Sequence, residues 1–427
     1  MTSDTVSSSA PNPPIVMLIP NLGFGGAQRV FHDHAVLLGE EHSVTEVVFN
    51  RDNGHDFPSG NPLLSLDVPG GGGPVAKLAH FVRRVRRLTA IKRRLRPAVT
   101  ISHLEGADYV NLLAGGGGGK TLLCIHGSKL HDANIRGLLG AIRLRLLIPL
   151  LYNRADRIVT VSKEIEEELV ALGVRPGLIG TIHNFFDRAA IRERSMAPLT
   201  GDERSLFDGP PVLVTSGRLA QQKNQAPLIA VFAELVKRTP ARLLIIGDGE
   251  LRQPLVQQAR GLGLRVYDGT GGASVADDHD VTFLGFQDNP FRLQRHAQLF
   301  LLPSAWEGFP MVLGEAMACG LPIVSADCPT GPREFLAPAT IGHAVRPLRR
   351  AEAGEYGLLL PIPAERDPAS IQVWVDTLER LLGDERERRR MAERSLVRAG
   401  DFTRDKVGAQ WRAAVAEVIG TSPATSA

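Results

Sequence analysis

The sequence that decides the fold is SAWEGFPMVLGEAMACGLP, residues 304–322. It follows Leu299–Leu302, a short apolar run that is typical of a strand buried in a parallel sheet. Proline suits the first turn of a helix, and glycine followed by proline suits its end. The stretch therefore predicts a helix that begins near Pro310 and ends at the final Gly-Leu-Pro. Glu307 then lies in the loop after a strand, and Glu315 lies on the helix.

Two carboxylates that flank the start of a helix suit a particular kind of ligand. The free N–H groups of a helix start attract anions, by roughly 0.3–1 kcal/mol at exposed sites. Carboxylates accept hydrogen bonds from vicinal hydroxyls, so one of the pair can hold a sugar ring and the other a ribose. A bare pair of glutamates at this spacing would instead indicate solvated loop and helix residues.

The rest of the chain alternates short apolar runs with helix-like stretches, beginning at Ile15–Ile19. The alternation weakens between Asp187 and Pro211, where charges and turn-forming residues gather, and then restarts. This pattern predicts an α/β protein of two Rossmann-like domains with parallel sheets facing a central cleft. A ligand would then lie in the cleft, at the carboxyl ends of the strands.

A chain of 427 residues exceeds what one hydrophobic core usually organises, which also favours two domains. We predict an N-terminal domain over residues 14–195 and a C-terminal domain over residues 208–400. The helix-like stretch in residues 401–420 is predicted to pack back on the N-terminal domain.

Composition argues against several classes of protein. The sequence contains no apolar stretch of roughly 18 residues, so no transmembrane helix is indicated. Met1–Pro14 is rich in Ser and Pro and predicts a short disordered tail rather than a secretory signal. The three cysteines, Cys124, Cys319 and Cys328, are too few and too scattered for a disulfide framework, and indicate reduced thiols in a cytosolic protein.

A second motif is SGRLAQQKN, residues 216–224, which follows another strand-like run. Arg218 offers a planar fork of donors and Lys223 a point charge, and the two can converge on a diphosphate. The alternative is a basic pair on the surface after a strand.

A third motif is the glycine-rich turn NLGFGGAQR, residues 21–29, after the first strand-like run. Gly25 and Gly26 allow the backbone to approach a phosphate closely. The dinucleotide fingerprint is not met, because Gln28 stands where its third glycine should be, and no Gly-Lys-Ser/Thr follows for a P-loop. A purely structural turn is the alternative interpretation.

The stretch from Glu307 to Pro322 resembles, residue for residue, the signature of the retaining glycosyltransferases of family four. Gly217–Asn224 is similar to a second motif of that family, Gly-Arg-Leu-x-x-x-Lys-Asn. The family has the two-domain GT-B fold, and the resemblance extends from Ile15 to about Val418. It therefore implies a GT-B fold for this chain.

The resemblance also implies roles for individual residues. The family's first Glu and the loop amides after it hold the transferred sugar, its second Glu holds the nucleotide ribose, and its Arg and Lys hold the diphosphate. The implied donor-binding residues are Gly25, Gly26, Gly217, Arg218, Lys223, Glu307, Gly308, Phe309, Pro310, Met311 and Glu315. The implied catalytic residues are His126, Arg218, Lys223 and Glu307.

The N-terminal half matches the family less closely. The family has Gly-Gly-Ala-Glu-Arg at the first turn, so Gln28 departs from it and removes that carboxylate. His126 directly follows a strand-like run, where a lone histidine is more often structural than catalytic. The family places His-Gly or His-Asp there, so the resemblance implies that His126 faces the transferred sugar. His183–Asp187 resembles the family's hinge-side segment, with its Pro and Gly replaced.

The function implied by the resemblance is retaining transfer of a hexose or N-acetylhexosamine. The implied donor is a nucleotide diphosphate sugar, a UDP-sugar in our interpretation. The segment Ala326–Glu334 resembles transferases that build bacterial surface polysaccharides and lipid-linked glycans, which favours such an acceptor. The alternatives are a GT-B phosphorylase or a nucleotide-sugar epimerase, and a non-catalytic nucleotide-sugar-binding protein.

We expect no metal or other cofactor, because Arg218, Lys223 and the helix start can meet the diphosphate charge. Asp278-His279-Asp280 has the spacing of a metal motif but lies in a polar loop away from the other motifs. Lys77–Arg96 holds nine basic residues and no acid, in a chain of net charge +3. This predicts contact with an anionic membrane surface or a solvated helix face, and its single aromatic argues against nucleic acid. The expected location is the cytoplasm, with peripheral contact at the inner face of the plasma membrane.

Overall fold

Strand pairing divides the chain between two predominantly parallel sheets, as the alternating sequence pattern predicts. The structure is a computed structural model that describes residues 13–23, 25–51, 59–131, 137–269 and 278–420. Most of the predicted N-terminal tail and most of the loop predicted before Asp280 lie outside the described residues. No helix in the described part of the chain is both long enough and apolar enough to span a bilayer.

The first sheet has seven strands, all parallel, in the order β3-β2-β1-β4-β5-β6-β7. Its central strands are buried on both faces, as a sheet covered by helices on each side requires. The strands are β1 (Ile15–Ile19), β2 (Val44–Val48), β3 (Leu63–Ser65), β4 (Val99–His103), β5 (Lys120–Ile125), β6 (Arg157–Thr160) and β7 (Ile179–Thr181).

Eight helices accompany this sheet within the described residues. They are α1 (Gly26–Gly39), α2 (Pro74–Leu95), α3 (Glu105–Leu113), α4 (Gly137–Ile142), α5 (Ile148–Tyr152), α6 (Lys163–Ala171), α7 (Arg188–Ser195) and α8 (Gly201–Ser205). The single helix that the pattern indicates over Leu138–Arg154 is interrupted by a π-helical turn, Arg143–Leu147. Pro149, just after that turn, has no N–H to donate to the preceding turn, which accounts for the local widening.

The segment Asp187–Pro211, where the alternating pattern weakens, contains α7 and α8. Each helix is stabilised at its start by a side chain. Asp187 accepts a hydrogen bond from the Ala190 N–H at 2.9 Å, and Thr200 forms a reciprocal capping box with Glu203. The capping residues are visible in the sequence, but the many charged residues around them suggest an irregular segment.

The second sheet has eight strands in the order β10-β11-β9-β8-β12-β13-β15-β14. Its pairs are parallel except for β14 with β15 at one edge. The strands are β8 (Val212–Ser216), β9 (Arg242–Ile246), β10 (Val266–Asp268), β11 (Val281–Gly285), β12 (Leu299–Leu302), β13 (Ile323–Ala326), β14 (Glu352–Ala353) and β15 (Leu358–Leu360).

The remaining helices are α9 (Gln225–Leu235), α10 (Arg252–Gly261), α11 (Phe291–Gln294), α12 (Met311–Ala318), α13 (Pro332–Leu336), α14 (Pro368–Gly383), α15 (Glu385–Ala399) and α16 (Arg404–Ile419). The decisive stretch forms α12, with Pro310 directly before its first residue, as the sequence predicts. The charged stretch Glu379–Ala399 has a helix-like sequence, but it is divided at Asp384, whose side chain accepts from the Glu387 N–H at 2.8 Å and so starts a new helix.

The last helix, α16, packs against β4 and β5 of the first sheet. Trp411 on α16 is buried, and its ring lies 4.2 Å from that of His34 on α1. Arg412 forms an ion pair with Glu40 at 2.7 Å on the rim of this contact. The last described helix therefore packs on the N-terminal half.

The basic helix α2 presents fewer charges to solvent than its sequence suggests. Lys92 is buried, because its ammonium donates to the Asn111 side chain at 2.7 Å and to the Ala114 carbonyl at 3.1 Å. This burial lowers the pKa of Lys92 to about 8. Arg84 donates to the Pro69 carbonyl at 2.9 Å, so it too ties the helix to a neighbouring loop. Seven of the nine basic residues in Lys77–Arg96 nevertheless stay exposed, so the basic face of α2 is largely solvated.

Four phenylalanines join the two halves. The Phe186 N–H donates to the Phe402 carbonyl at 3.1 Å, and the Phe402 ring packs on Phe335 at 4.6 Å and on Phe309 at 5.3 Å. Gly314 on α12 leaves the space that the Phe186 ring fills, since a Cβ there would lie 2.3 Å from the ring. The rings therefore hold α12, and the loop before it, against the segments that connect the two halves.

We predict that Phe402→Ala lowers the free energy of unfolding by about 3 kcal/mol, because it empties a buried ring site among other rings. Urea unfolding monitored by circular dichroism measures this change. Val397→Ala, on the exposed side of α15, is the control, with an expected change below about 0.5 kcal/mol. Equal stability of the two variants would show that the ring cluster does not hold the halves together.

Candidate functional site

The cleft between the two sheets is a cavity of about 1350 Å³ that both halves line. It lies at the carboxyl ends of the strands, where open α/β sheets bind ligands. Lining residues from the first half include Gly25, Gly26, Leu104, Glu105, Asp108, His126, Ser128, Lys129 and Asn184. Those from the second half include Gly217, Arg218, Lys223, Gly247, Gly249, Trp306, Glu307, Gly308, Phe309, Pro310 and Met311.

Glu307 and Lys223 form a direct ion pair in this cleft. The Lys223 ammonium lies 2.7 Å from Glu307 Oε1, and both side chains are largely buried. Ser304 donates to the same carboxylate oxygen at 2.6 Å. Glu307 Oε2 makes no hydrogen bond to any described residue, and Glu307 lines the cleft, so this oxygen remains available to a ligand there. The motifs alone did not indicate Ser304 or this pairing.

The loop that carries Glu307 is held by its own backbone. The Glu307 N–H donates to the Pro329 carbonyl at 3.1 Å, and Thr330 donates its hydroxyl to the Glu307 carbonyl. Gln222, next to Lys223, donates to the Trp306 carbonyl at 3.0 Å. The two motifs of the second half are therefore locked together before any ligand binds, which keeps the carboxylate and the ammonium in one place.

Arg218 lies at the open end of the same cleft. Its side chain is 70% exposed and pairs with Glu250 at 3.1 Å, so it is free to move onto a ligand. Gly217, before it, has φ 145°, a conformation that favours glycine. A Cβ on Gly247 would lie 2.1 Å from the Gly217 carbonyl, so the two glycine loops pack backbone to backbone. Gly247 belongs to none of the motifs that the sequence indicates.

Glu315 occupies a different position from the other predicted donor residues. It lies one turn along α12 from Met311 and is not among the residues that line the cleft. Burial raises the pKa of its carboxyl, while the nearby charges of Arg29 and Arg194 act in the opposite direction. The charges that act on Glu315 therefore come from α1 and α7 as well as from Lys223.

The first half closes the other side of the cleft with the glycine-rich turn and the start of α1. Gly25 and Gly26 line the cleft, and a Cβ on Gly26 would meet open space. The Gln28 amide donates to Asn21 at 3.1 Å, so the residue that departs from the family stabilises the turn itself.

His126 lies at the end of β5 and lines the cleft. Burial, with a smaller effect from the Lys129 charge, lowers the pKa of His126 to about 3, so its imidazole is neutral at physiological pH. His126 Nε2 lies 2.8 Å from Nδ1 of His103. A Cβ on Gly308 would lie 1.9 Å from the His126 carbonyl, so the two sides of the cleft touch through their backbones here.

A group of charged side chains, here called the charged wall, lies beside His126. No sequence motif indicates it. Lys129 lies 3.2 Å from Glu105, and Arg143 from the π-helical turn pairs with the same carboxylate. Asp108 is buried below them and accepts from the Ser102 hydroxyl at 2.8 Å. Burial raises the pKa of Asp108 to about 7. The signal that could have found this wall is the polar helix start after β4.

The aspartates of the metal-like motif lie outside the cleft lining. Both pair with one arginine: Arg265 lies 2.6 Å from Asp280, and it also contacts Asp278. These carboxylates therefore act as ion-pair partners of Arg265 at the start of β11.

Sequence comparison matches two family models to this chain. Residues 210–354 match the family described as glycosyl transferases group 1, and residues 25–184 match a glycosyl transferase 4-like domain. The two matches together cover well over half of the chain, and each spans most strands of one of the two sheets.

Two relatives with assigned activities align with both halves. One, from Campylobacter jejuni, is N-acetylgalactosamine-N,N'-diacetylbacillosaminyl-diphospho-undecaprenol 4-alpha-N-acetylgalactosaminyltransferase, 25% identical over 394 residues, or 92% of this chain and 96% of the relative. The other is N-acetyl-alpha-D-glucosaminyl L-malate synthase of Bacillus anthracis, 28% identical over 292 residues, or 68% of this chain and 67% of the relative.

A solved structure, HepE of Anabaena in complex with UDP and glucose, superposes with a TM-score of 0.72. It is 19% identical, and the alignment covers 95% of this chain and 100% of HepE. That likeness confirms the fold expected from the motifs. The chain therefore belongs to the group 1 glycosyltransferases and has their GT-B fold, with the cleft between its two sheets as the candidate active site.

Proposed function

We propose that this enzyme transfers a hexose or N-acetylhexosamine from a UDP-sugar, with retention, to a lipid-linked or glycan acceptor in surface-polysaccharide assembly. The observation that carries the proposal is the Lys223–Glu307 pair, which places an ammonium and an available carboxylate oxygen side by side in the cleft that His126 also lines. Such a pair suits a diphosphate joined to a sugar. The solved HepE complex holds UDP and glucose, and the Campylobacter relative is named for an undecaprenol-linked acceptor, which supports this substrate class.

In the proposed complex, Glu307 Oε2 accepts hydrogen bonds from hydroxyls of the transferred sugar. The Lys223 ammonium has further N–H groups beyond the one directed at Glu307, and these donate to the diphosphate. Arg218 leaves Glu250 and adds a planar fork to the same phosphates. We propose that no metal is required, because these cations and the start of α12 stabilise the leaving diphosphate.

Glu315 is proposed to hold the nucleotide ribose. This assignment requires the ribose to reach past Met311 and Val312, which line the cleft, to the next turn of α12. The raised pKa of Glu315 makes its carboxyl a stronger acceptor once ionised, and a hydroxyl partner would compensate for its burial.

Retention is proposed to follow from attack on the face of the sugar that the diphosphate leaves, with a phosphate oxygen taking the acceptor proton. Glu307 already accepts from Lys223 and Ser304, which makes it a poor nucleophile. The wall formed by Glu105, Lys129 and Asp108 lies on the N-terminal side, and we assign it to the acceptor.

Peripheral contact with an anionic membrane at the cytoplasmic face is part of the proposal. The basic helix α2 keeps exposed charges at Lys77, Arg83 and Arg86. A second surface lies on α4 and α5, where Leu138 is 77% exposed and Leu139 is 81% exposed. An apolar surface beside Arg143, which pairs with the acceptor wall, suits an acceptor whose lipid stays in the bilayer.

We predict that Arg218→Ala and Lys223→Ala each lower transfer by roughly 100-fold, because each removes a charge that stabilises the departing diphosphate. Release of UDP from UDP-glucose or UDP-N-acetylglucosamine, with extracted bacterial lipids as acceptor, measures transfer. Arg218→Ala should keep its stability, whereas Lys223→Ala leaves Glu307 buried and unpaired and should also unfold more easily. Lys237→Ala, which breaks a 2.7 Å pair outside the cleft, is the control. Near-normal transfer by Arg218→Ala would remove that residue from the site.

We predict that Gly308→Ala lowers transfer by about 100-fold while UDP binding stays within a few-fold of the wild type. The added methyl group meets the His126 carbonyl and holds the two halves apart, which misplaces the reacting groups. Isothermal titration calorimetry with UDP and the UDP-release assay give the two readouts. Gly261→Ala, where a Cβ meets nothing within 4 Å, is the matched control. Unchanged transfer by Gly308→Ala would show that reaction does not need this contact.

We predict that the enzyme co-sediments with vesicles containing phosphatidylglycerol and less with vesicles of phosphatidylcholine alone. Leu138→Ser combined with Leu139→Ser should reduce vesicle binding at least about tenfold, because two apolar side chains no longer enter the bilayer. Val397→Ser, an exposed valine on the other half, should leave binding unchanged. Binding that is equal for both lipids and for both variants would contradict membrane contact through this surface.

A further inference from the structure

Three histidines form a row that runs from the core to the cleft. His34 on α1 and His103 at the end of β4 are buried, and His126 at the end of β5 lines the cleft. The His34 and His103 rings are 5.5 Å apart, and the His103 and His126 rings are 5.0 Å apart. The row therefore connects a cleft residue to the interior of the N-terminal half.

The contact between His103 and His126 is an in-plane hydrogen bond. His103 Nδ1 lies 2.8 Å from His126 Nε2, and the two rings are inclined by only 27°. Their centroid separation is the one that two imidazoles give when the line between the nitrogens passes through both ring centres. The geometry therefore fixes which nitrogen of each ring faces the other.

One proton must lie in this bond, because both rings are neutral. Burial lowers the pKa of His103 well below its ordinary value and that of His126 to about 3. If His126 were the donor, the remaining proton of His103 would lie on Nε2, which has no hydrogen-bond partner among the described residues. A buried N–H without an acceptor is the costlier arrangement.

The groups behind His103 favour the opposite arrangement. A ring nitrogen of His34 and the Cys124 sulfur lie within 4.8 Å of a ring nitrogen of His103. Burial keeps the Cys124 thiol protonated by raising its pKa, so it is a neutral S–H group. No described residue accepts a hydrogen bond from His103 Nε2, whereas the Cys124 S–H lies in the same cluster, so an unprotonated Nε2 is the less costly state and the His103 proton lies on Nδ1.

We propose that His103 is a positioning residue that donates from Nδ1 to His126 Nε2 and so holds His126 with its proton on Nδ1, as a donor to an oxygen of the sugar in the cleft. His126 Nδ1 is neither bonded to a described residue nor buried, so it is open to the cleft. The sugar as ligand rests on the proposed function, whereas the tautomer itself does not.

Two substitutions at His103 separate its role as a hydrogen-bond donor from its role in filling space. In His103→Asn the amide nitrogen is attached to Cγ, as Nδ1 is, so the donor to His126 is kept. In His103→Leu the donor is lost and an apolar side chain fills the site. A solely structural His103 would make both variants similar, whereas a positioning residue is rescued by Asn and not by Leu.

Nitrogen-15 NMR of histidine-labelled protein reads the tautomer directly. The His126 signals, identified by their loss in His126→Gln, should show a protonated Nδ1 and an unprotonated Nε2 in the wild type and in His103→Asn. In His103→Leu they should move towards the Nε2-protonated form that free imidazole side chains prefer. A wild-type His126 protonated on Nε2 would overturn the proposal, even if His103→Leu failed to fold.

Kinetics with UDP-glucose or UDP-N-acetylglucosamine and extracted lipids give the second readout. His103→Leu should lose roughly tenfold in kcat with little change in KM for the donor, about the effect of one hydrogen bond, and His103→Asn should restore most of it. Equal kcat for Leu and Asn variants, with the expected tautomer in the wild type, would also overturn the positioning role. If no UDP-sugar is turned over by the wild type, the proposed function fails while the NMR result still stands.

Discussion

The contact on which the rest of the site depends is the approach of Gly308 to the His126 carbonyl. The two loops come from different sheets, and each follows the carboxyl end of a parallel strand. A side chain at Gly308 would separate them, since even a Cβ there would lie 1.9 Å from the His126 carbonyl oxygen. This contact brings the Lys223 ammonium and the Glu307 carboxylate of the second half into one cleft with the His126 imidazole of the first half. Without the contact, the two halves would present separate surfaces.

The Lys223–Glu307 pair shows why a site of this kind is built from charge rather than from apolar packing. Taking both groups out of water costs more than their attraction regains in many proteins, so the pair is a weak source of stability. The functional importance of the pair is that it has unused hydrogen-bonding capacity. Glu307 keeps one oxygen without a partner, and Lys223 keeps N–H groups, so a ligand with hydroxyls next to phosphates completes both. Arg218 differs, because its exposure lets it arrive with the ligand.

The sequence predicts the parallel sheets, the helix after Pro310 and the residues of the second half well, because these follow from periodicity and from local spacing. It does not predict that Lys223 and Glu307 touch, since they are far apart in the chain and only the packing of β8 beside β12 joins their loops. The same reason hides His103, whose partner His126 lies on the neighbouring strand β5.

Other differences from the sequence have local causes. Lys92 reads as one more charge of a basic helix, but the open carbonyl groups at the end of α3 draw it into the core. Glu315 has the spacing of a cleft residue, yet a helix turns about 100° per residue, and Glu315 is not among the residues that line the cleft. Capping by Asp187 and Thr200 outweighs a composition that suggests irregular chain.

Binding of the donor and contact between the halves cannot be independent, because the same elements serve both. Glu334 on α13 is buried, and its carboxylate lies 2.6 Å from His183 of the first half. Arg346 bridges Asp327, at 2.8 Å, to Glu164 on α6. Asp327 and Glu334 flank Pro329 and Thr330 in the sequence, and these two residues hold the Glu307 backbone. A force that moves the first half away from the second therefore acts on the segment that fixes Glu307, so a ligand that orders this carboxylate also stabilises the closed arrangement.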